Sequence, residues 1–240
     1  MCNYDMCLFH GHGEGDNGAE GNNYTELELV RMLLKKTVTY LENRDVSVLH
    51  NYDSGLNNYY NNLTKNVTLK YKMGGVLHIN SEGGKGIEII CPCKETFFGV
   101  EENILQGYEK VGFFNRGIKF RNYDDDKFYT EPFLGVDWYK EIREAWNNGV
   151  SLSIIESCFI DNQEDVDRFI DNINLLAKII ANSYLKEMDK ELYDLGSIND
   201  ENNMDKHYRV QVGYYNKLEN ALKIADELKN KGYDVLIKED

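Results

Sequence analysis

Two histidines and two glutamates lie along this chain at positions where they could form a catalytic zinc site. His12 lies in a glycine-dense loop, and Glu26 begins the helical pattern that follows it. His78 and Glu156 each lie at or near the end of a later predicted strand. Catalytic zinc sites commonly take two histidines and one glutamate from the protein and leave the fourth position to water. These residue types favour His12, Glu26 and His78 as metal ligands, with Glu156 moving protons.

The glycine-dense loop suits such a site, although the residues alone leave alternatives open. Glycines at positions 11, 13, 15, 18 and 21 let the backbone turn sharply and pass close to a ligand. A histidine at a strand end is more often a hydrogen-bonded structural residue than a ligand. Glu26 could simply interact with the helix dipole, and Glu14 or Glu28 could be the metal carboxylate instead. We set His10 aside because we expect it to face away from His12.

A bound zinc ion would give these residues a defined chemistry. Zinc lowers the pKa of bound water towards about 7 and polarises a substrate carbonyl. Glu156 would take a proton from that water and pass it to the leaving nitrogen. Its apolar neighbours, Ile155 and Cys158 among them, should raise its pKa, and the metal should lower it again. A glutamate inside an apolar strand costs free energy unless it is paired or in use.

Short apolar runs alternate with helical patterns, which predicts an α/β fold with a twisted, mostly parallel or mixed sheet flanked by helices. A helix of about four turns begins at Glu26, and a long helix runs from Asn162 through Tyr184. Ligands in such folds collect beyond the C-terminal ends of strands, so His12, His78 and Glu156 could meet there. Predicted strands cover residues 7–9, 46–49, 75–80, 86–91, 118–120 and 151–160, and further predicted helices cover 56–63, 101–113 and 138–146.

Composition and charge exclude several classes of protein. The chain has 240 residues, a formal charge of −14 and no basic stripe, which argues against a nucleic-acid partner. No apolar run approaches the roughly 20 residues that cross a bilayer, so we expect no membrane insertion. The N-terminus lacks a secretory pattern, which predicts a protein made in the cytoplasm.

The cysteines indicate the redox state of the protein, and the charge distribution indicates the number of domains. Five cysteines, in no small-scaffold spacing, favour reduced thiols, and the pair Cys91 and Cys93 is weak evidence for a metal. Residues 205–240 contain seven basic and seven acidic residues, so the whole charge deficit lies in residues 1–204. This asymmetry indicates two modules.

Several motifs occur in the order found in a known enzyme family. Residues 11–19 (GHGEGDNGA) closely resemble the opening motif of the zinc-dependent N-acetylmuramoyl-L-alanine amidases of the Amidase_3 type. The later matches, in order, are Glu26, residues 77–80 (LHIN) with 86–88 (GIE), residues 115–119 (NRGIK) and residues 154–162 (IIESCFIDN).

The chain also departs from the family pattern. Asn17 replaces a frequent proline, and Glu14 replaces a usual glycine. The stretch between Gly117 and Glu156 looks longer than is usual in the family, and the extra residues lie within 121–137. This acidic, aromatic and irregular loop could be a lid, a specificity element or surface decoration.

The resemblance implies zinc held by His12, Glu26 and His78, with Glu156 as the catalytic acid. It also implies hydrolysis of the amide between N-acetylmuramic acid and the L-alanine of the stem peptide in bacterial peptidoglycan. Without a secretory signal, such an enzyme would be an endolysin of a phage or prophage that acts on the wall after release. A zinc peptidase that cuts within the stem and a non-catalytic wall-binding protein are the alternatives.

The C-terminal residues resemble half of a second family. Residues 208–215 (YRVQVGYY) and 231–237 (KGYDVLI) resemble the first β-α-β half of an SPOR domain, a family that binds peptidoglycan glycan strands. We therefore predict a catalytic domain at 1–186, a linker at 187–206 and a small β-α-β wall-binding or oligomerising element at 207–240. A segment of about 35 residues is too short to bury enough surface alone. Two such segments are expected to pair in a homodimer.

Overall fold

The computed structural model of the chain describes residues 3–13, 15–52, 67–196, 217–231 and 235. The chain divides into two compact units, residues 1–199 and 200–240. The predicted helix at 56–63 lies outside the described residues. The predicted C-terminal strands lie almost entirely outside them. Among the described helices, none is both long and apolar enough to cross a membrane.

Unit 1 is built on a seven-stranded mixed sheet, which confirms the predicted α/β class. Its strands are β2 (Met6–His10), β5 (Val48–Leu49), β7 (Met73–Asn80), β8 (Ile87–Ile90), β9 (Asn115–Arg121), β10 (Phe128–Tyr129) and β11 (Ser151–Phe159). They lie in the order β10-β9-β8-β11-β7-β2-β5. Two small pairs stand outside this sheet, β1 (Asn3–Tyr4) with β6 (Thr68–Leu69) and β3 (Glu20–Gly21) with β4 (Tyr24–Thr25).

Strand direction decides which side chains share an edge of the sheet. β5, β2, β7 and β11 run parallel to one another, whereas β8 pairs antiparallel with β11, and β9 runs parallel to β8. The C-terminal ends of β2, β7 and β11 therefore lie at the same edge as the starts of β8 and β9. His78 and Glu156 reach this edge from strands that end there, and Glu88 and Arg116 reach it from strands that begin there.

Helices cover both faces of the sheet. α1 (Glu26–Glu42), α2 (Gly99–Val111) and α5 (Ile173–Glu187) contribute to the larger core cluster, together with Leu77 and Ile79 of β7. α3 (Lys140–Asn147) contributes to the smaller cluster, which contains Val76 and Ile154. Because strand side chains alternate between faces, His78 and Glu156 lie on the face of the smaller cluster.

Helix α1 begins at Glu26, as the sequence predicts, because Thr25 and Glu28 form a capping box. The Thr25 hydroxyl accepts a hydrogen bond from the Glu28 amide, and the Glu28 carboxylate accepts one from the Thr25 amide. The preceding loop is attached to the same turn, since the amides of Glu26 and Leu27 donate to Ala19 and Asn17. The first turn of α1 and the glycine-dense loop therefore form one unit.

The structure corrects two sequence predictions. The long helix predicted from Asn162 is interrupted at Asn172, which separates α4 (Gln163–Asp171) from α5. The Asn172 side chain donates to the Arg168 carbonyl, and a side chain that competes for backbone groups in this way favours a helix end. The loop at 121–137, predicted to be irregular, contains β10 and a further bridge between Asn122 and Asp137.

Residues that follow α5 pack back onto earlier residues of unit 1. The Asn182 side chain exchanges two hydrogen bonds with the backbone of Tyr193, whose ring lies 4.1 Å beneath the guanidinium of Arg44.

Unit 2 contains helix α6 (Leu218–Lys229) among its described residues. The predicted linker boundaries remain predictions.

Replacing Thr25 with alanine should weaken both the helix start and the site that depends on it. Loss of the cap is expected to lower the free energy of unfolding by about 1 kcal/mol, measured by urea denaturation. Thr39→Ala in the same helix is the control, because Thr39 is exposed and bonds only to the Lys35 carbonyl among its described side-chain contacts. It should change stability by less than about 0.5 kcal/mol. Equal losses in the two variants would contradict the capping role.

Candidate metal centre

The side chains of His12, Glu26 and His78 converge at the edge of the sheet. Each offers one ligand atom, and these atoms lie within 4.8 Å of one another. The Glu26 carboxylate lies between the two rings, with Oε2 3.0 Å from Nε2 of His12 and Oε1 2.9 Å from Nδ1 of His78. Among the described residues, this is the only group of three such side chains close enough to hold a metal ion.

The loop holds His12 in an unusual backbone conformation. His12 has a φ of 61°, in the left-handed region that non-glycine residues seldom adopt. Asp16 fixes its ring, because the Asp16 Oδ2 lies 2.9 Å from Nδ1 of His12 and leaves Nε2 directed at Glu26. A carboxylate on the second ring nitrogen is the usual support for a metal-bound histidine. The sequence analysis missed Asp16, for which the four-residue spacing from His12 was the available signal.

Two glycines allow this close approach. A methyl group at Gly11 would overlap the imidazole of His78, and one at Gly18 would lie 2.5 Å from Oε2 of Glu26 and 2.8 Å from the His12 ring. Gly18 also has a φ of +69°. Only glycine fits these two positions without displacing the candidate ligands.

The three candidate ligands shift one another's pKa values. Burial alone would raise the pKa of Glu26, but hydrogen bonds from His12 and His78 and the charges of both rings hold it well below its usual range. The hydrogen bond to Glu26 raises the pKa of His12 to about 9, against the opposing effect of burial. Burial lowers the pKa of His78, yet Glu26 and the charge of Glu156 raise it overall.

Glu156 lies beside the cluster without a partner for one of its oxygens. In the sheet, Glu156 is paired with His78 on β7 and with Glu88 on β8. Its Oε2 is buried and has no hydrogen-bond partner among the described residues. Burial raises its pKa to about 7, and the carboxylates of Glu26 and Glu88 add to this against the charge of His78. A pKa near neutrality suits a group that both accepts and donates a proton.

The alternatives to these residues have other roles or lie elsewhere. His10 is fully buried, its backbone amide donates a hydrogen bond to Oδ1 of Asn51, and its Nδ1 lies 2.8 Å from the Gly11 carbonyl. Glu28 is engaged in the capping box. Glu14 lies outside the described residues. Cys7, Cys91, Cys93 and Cys158 are free and buried.

The donor set fits zinc. Two imidazoles and one carboxylate are the ligands of many catalytic zinc sites. The ligand atoms already converge, Asp16 supports His12 from behind, and Gly11 and Gly18 leave the space that the ligands need. The side chains of His12 and His78 remain 23% and 17% exposed, so the site is open to solvent on one side.

Comparison with protein families gives two matches. The N-acetylmuramoyl-L-alanine amidase family, Amidase_3, matches residues 6–186, and the SPOR domain family matches residues 204–239. Comparison with curated protein sequences gives no match.

Similar solved structures share the fold of unit 1 at low sequence identity. N-acetylmuramoyl-L-alanine amidase AmiC2 of Nostoc punctiforme is 18% identical over 77% of this chain and 97% of its own, with a TM-score of 0.58. The catalytic domain of the CD27L endolysin targeting Clostridia difficile is 21% identical over 76% and 97%, with a TM-score of 0.52. Cwp6 from Clostridium difficile is 22% identical over 76% of this chain but only 29% of its own, with a TM-score of 0.59.

Filling the space beside Glu26 should weaken metal binding. In Gly18→Ala, the added methyl group collides with the Glu26 carboxylate and the His12 ring, so the affinity for zinc should fall by about 10-fold or more. Competition with a chromogenic chelator measures this affinity. Gly15→Ala is the matched control, because Gly15 also has a positive φ, but among the described residues beyond its chain neighbours no atom lies within 4 Å of the added carbon. Equal zinc affinity in the two variants would contradict the assigned ligand set.

Proposed function

The chain belongs to the N-acetylmuramoyl-L-alanine amidase family of the Amidase_3 type, and from this membership we propose that it is a zinc-dependent peptidoglycan hydrolase. Its substrate is the amide between N-acetylmuramic acid and the L-alanine of the stem peptide. The observation that carries the proposal is the position of Glu156, a carboxylate with an unpartnered buried oxygen next to the convergent His12, Glu26 and His78.

His12, Glu26 and His78 would hold the zinc ion. When bound, zinc supplies a Lewis acid that acidifies water and polarises the substrate carbonyl. The chain's own residues then set the geometry. Asp16 keeps the ring of His12 oriented, and the Ile79 amide donates to Oε1 of Glu26 and helps to fix its carboxylate.

Glu156 would carry the proton through the reaction. Its carboxylate accepts a proton from the attacking water, and the protonated acid then donates it to the leaving nitrogen of the alanine. The environment supports both halves of this cycle, because burial and neighbouring carboxylates favour the protonated form while His78 favours the ionised form. No other described residue competes for Oε2 of Glu156, so this oxygen is available to the substrate and water.

We further propose that residues 207–240 bind the wall or join two chains. The SPOR match supports this role. Along helix α6, Leu218 and Leu222 are 66% and 47% exposed and lie one turn apart, so they present an apolar stripe that a second copy could cover. Light scattering of the full chain at micromolar concentration should give the mass of a dimer. The mass of a monomer would contradict the proposed dimer and leave wall binding as the role of this segment.

Digestion of purified peptidoglycan tests the enzymatic proposal directly. The full chain with zinc should release stem peptides with a free N-terminal L-alanine and leave the glycan intact, as identified by mass spectrometry. Cleavage within the stem peptide would instead indicate a zinc peptidase. Glu156→Gln should keep its zinc but lose activity by about 100-fold or more, the contribution expected of a positioned acid and base.

A matched variant separates this effect from a general loss of charge. Glu102 is exposed in the first turn of α2, so Glu102→Gln should keep full activity. Full lytic activity in Glu156→Gln with bound zinc would show that the proton carrier is another residue.

A further inference from the structure

We propose that Arg116 and Lys119 form a subsite that binds a free carboxylate of the stem peptide, next to the amide that is cut. The inference rests on the proposed amidase function and adds a determinant of substrate choice to it. Both residues lie in the motif at 115–119, to which the catalytic proposal gives no role.

The sheet places these two cations in line with the candidate catalytic residues. His78, Glu156 and Glu88 are paired across β7, β11 and β8, so their side chains lie on the same face of the sheet. β9 is the next strand, and Arg116 and Lys119 reach back from it to Glu88. The row therefore runs from the candidate metal ligands, through Glu156, to the two cations.

Glu88 anchors both cations through one oxygen. Oε2 of Glu88 lies 2.5 Å from Nε of Arg116 and 2.5 Å from Nζ of Lys119, and Oε1 accepts a hydrogen bond from Asn80. Burial alone would raise the pKa of Glu88, but the two cations lower it overall. Glu88 is thus an anion with two positive partners, and the group carries one surplus positive charge.

The surplus charge is the feature that a purely structural role leaves unexplained. One cation would neutralise Glu88, and placing a second charge in a partly buried position costs desolvation energy. That cost is offset if an anion binds beside the pair. A substrate carboxylate supplies the missing charge.

Both cations keep donors for such a ligand. Within the described part of the chain, the side-chain hydrogen bonds of Arg116 involve Nε alone, which leaves its two terminal nitrogens for a carboxylate. The side chains are 30% and 21% exposed, so a ligand can reach them. The ring of Phe159 lies 5.0 Å from the Arg116 guanidinium and helps to hold it in place.

The distance along the row selects which carboxylate fits. Because the two cations reach back from β9 to Glu88 on β8, their charged groups lie between one and two strand spacings from β11, about 5–10 Å. An extended peptide covers this distance in about two to three residues. The subsite therefore suits a free carboxylate on the second or third residue of the stem peptide, one that is not part of a peptide bond.

Two synthetic muramoyl tripeptides test the subsite with the zinc-loaded full chain. They differ only in a carboxylate or a carboxamide on the second stem residue. The wild-type protein should cleave the carboxylate form with a kcat/KM at least about 10-fold higher, as expected for a charge-assisted contact. In Lys119→Met this ratio should fall towards one, and in Lys119→Arg, which keeps the charge, it should be largely retained. Lys110→Met, at an exposed site in the last turn of α2, should leave the ratio unchanged.

The outcomes separate the subsite from the enzymatic proposal. If the wild-type protein cleaves neither compound nor whole peptidoglycan, the amidase function itself fails, and the subsite with it. If it cleaves both compounds with equal efficiency, or if a folded Lys119→Met loses activity equally on both, the cations serve the fold and the subsite is overturned. Thermal melting of each variant establishes that it is folded, and Arg116→Gln provides an independent second variant.

Discussion

The structure of the site depends on one buried carboxylate placed between two imidazole rings. Glu26 is 4% exposed, and its two oxygens contact His12 and His78 and accept hydrogen bonds from the amides of Ala19 and Ile79. A buried charge is tolerated only when it is paired and hydrogen-bonded, and removing one partner costs about 3–5 kcal/mol. The glycine-dense loop, the first turn of α1 and the end of β7 are therefore held together around this group. The same contacts bring three donors to one point, where a zinc ion could replace the protons that they now share.

The reversal of β8 and β9 gives two neighbouring glutamates opposite environments. Glu156 has an oxygen without a described partner, and burial raises its pKa to about 7. Glu88, the next residue across the sheet, is paired with Arg116 and Lys119, and these partners keep its pKa low. Carboxylates whose environments push their pKa values apart can take different roles. Here one is suited to move a proton, and the other is suited to position two cations beside it.

The sequence predicted much of this arrangement, because residue type and strand ends carry the signal. His12 follows an apolar run, Glu26 follows a capping residue, and Glu156 interrupts an apolar strand, so each was visible in the chain. The support of His12 by Asp16 and the interruption at Asn172 depend on single side-chain hydrogen bonds, which leave no periodic pattern. The antiparallel direction of β8 could not be predicted either, since alternation of side chains is the same for both strand directions. The roles of Arg116 and Lys119 depend on that direction. The predicted C-terminal strands fall almost entirely outside the described residues.

X-ray absorption spectroscopy at the zinc edge tests the proposed metal site, because it reports the ligands of the metal in the full chain. We expect a first shell of nitrogen and oxygen only, with the signature of two imidazoles at about 2.0–2.1 Å, and the loss of one imidazole in His12→Ala and in His78→Ala. A sulfur shell at about 2.3 Å would place the metal on cysteine instead. That result, or a spectrum unchanged in both histidine variants, would contradict the proposed zinc site.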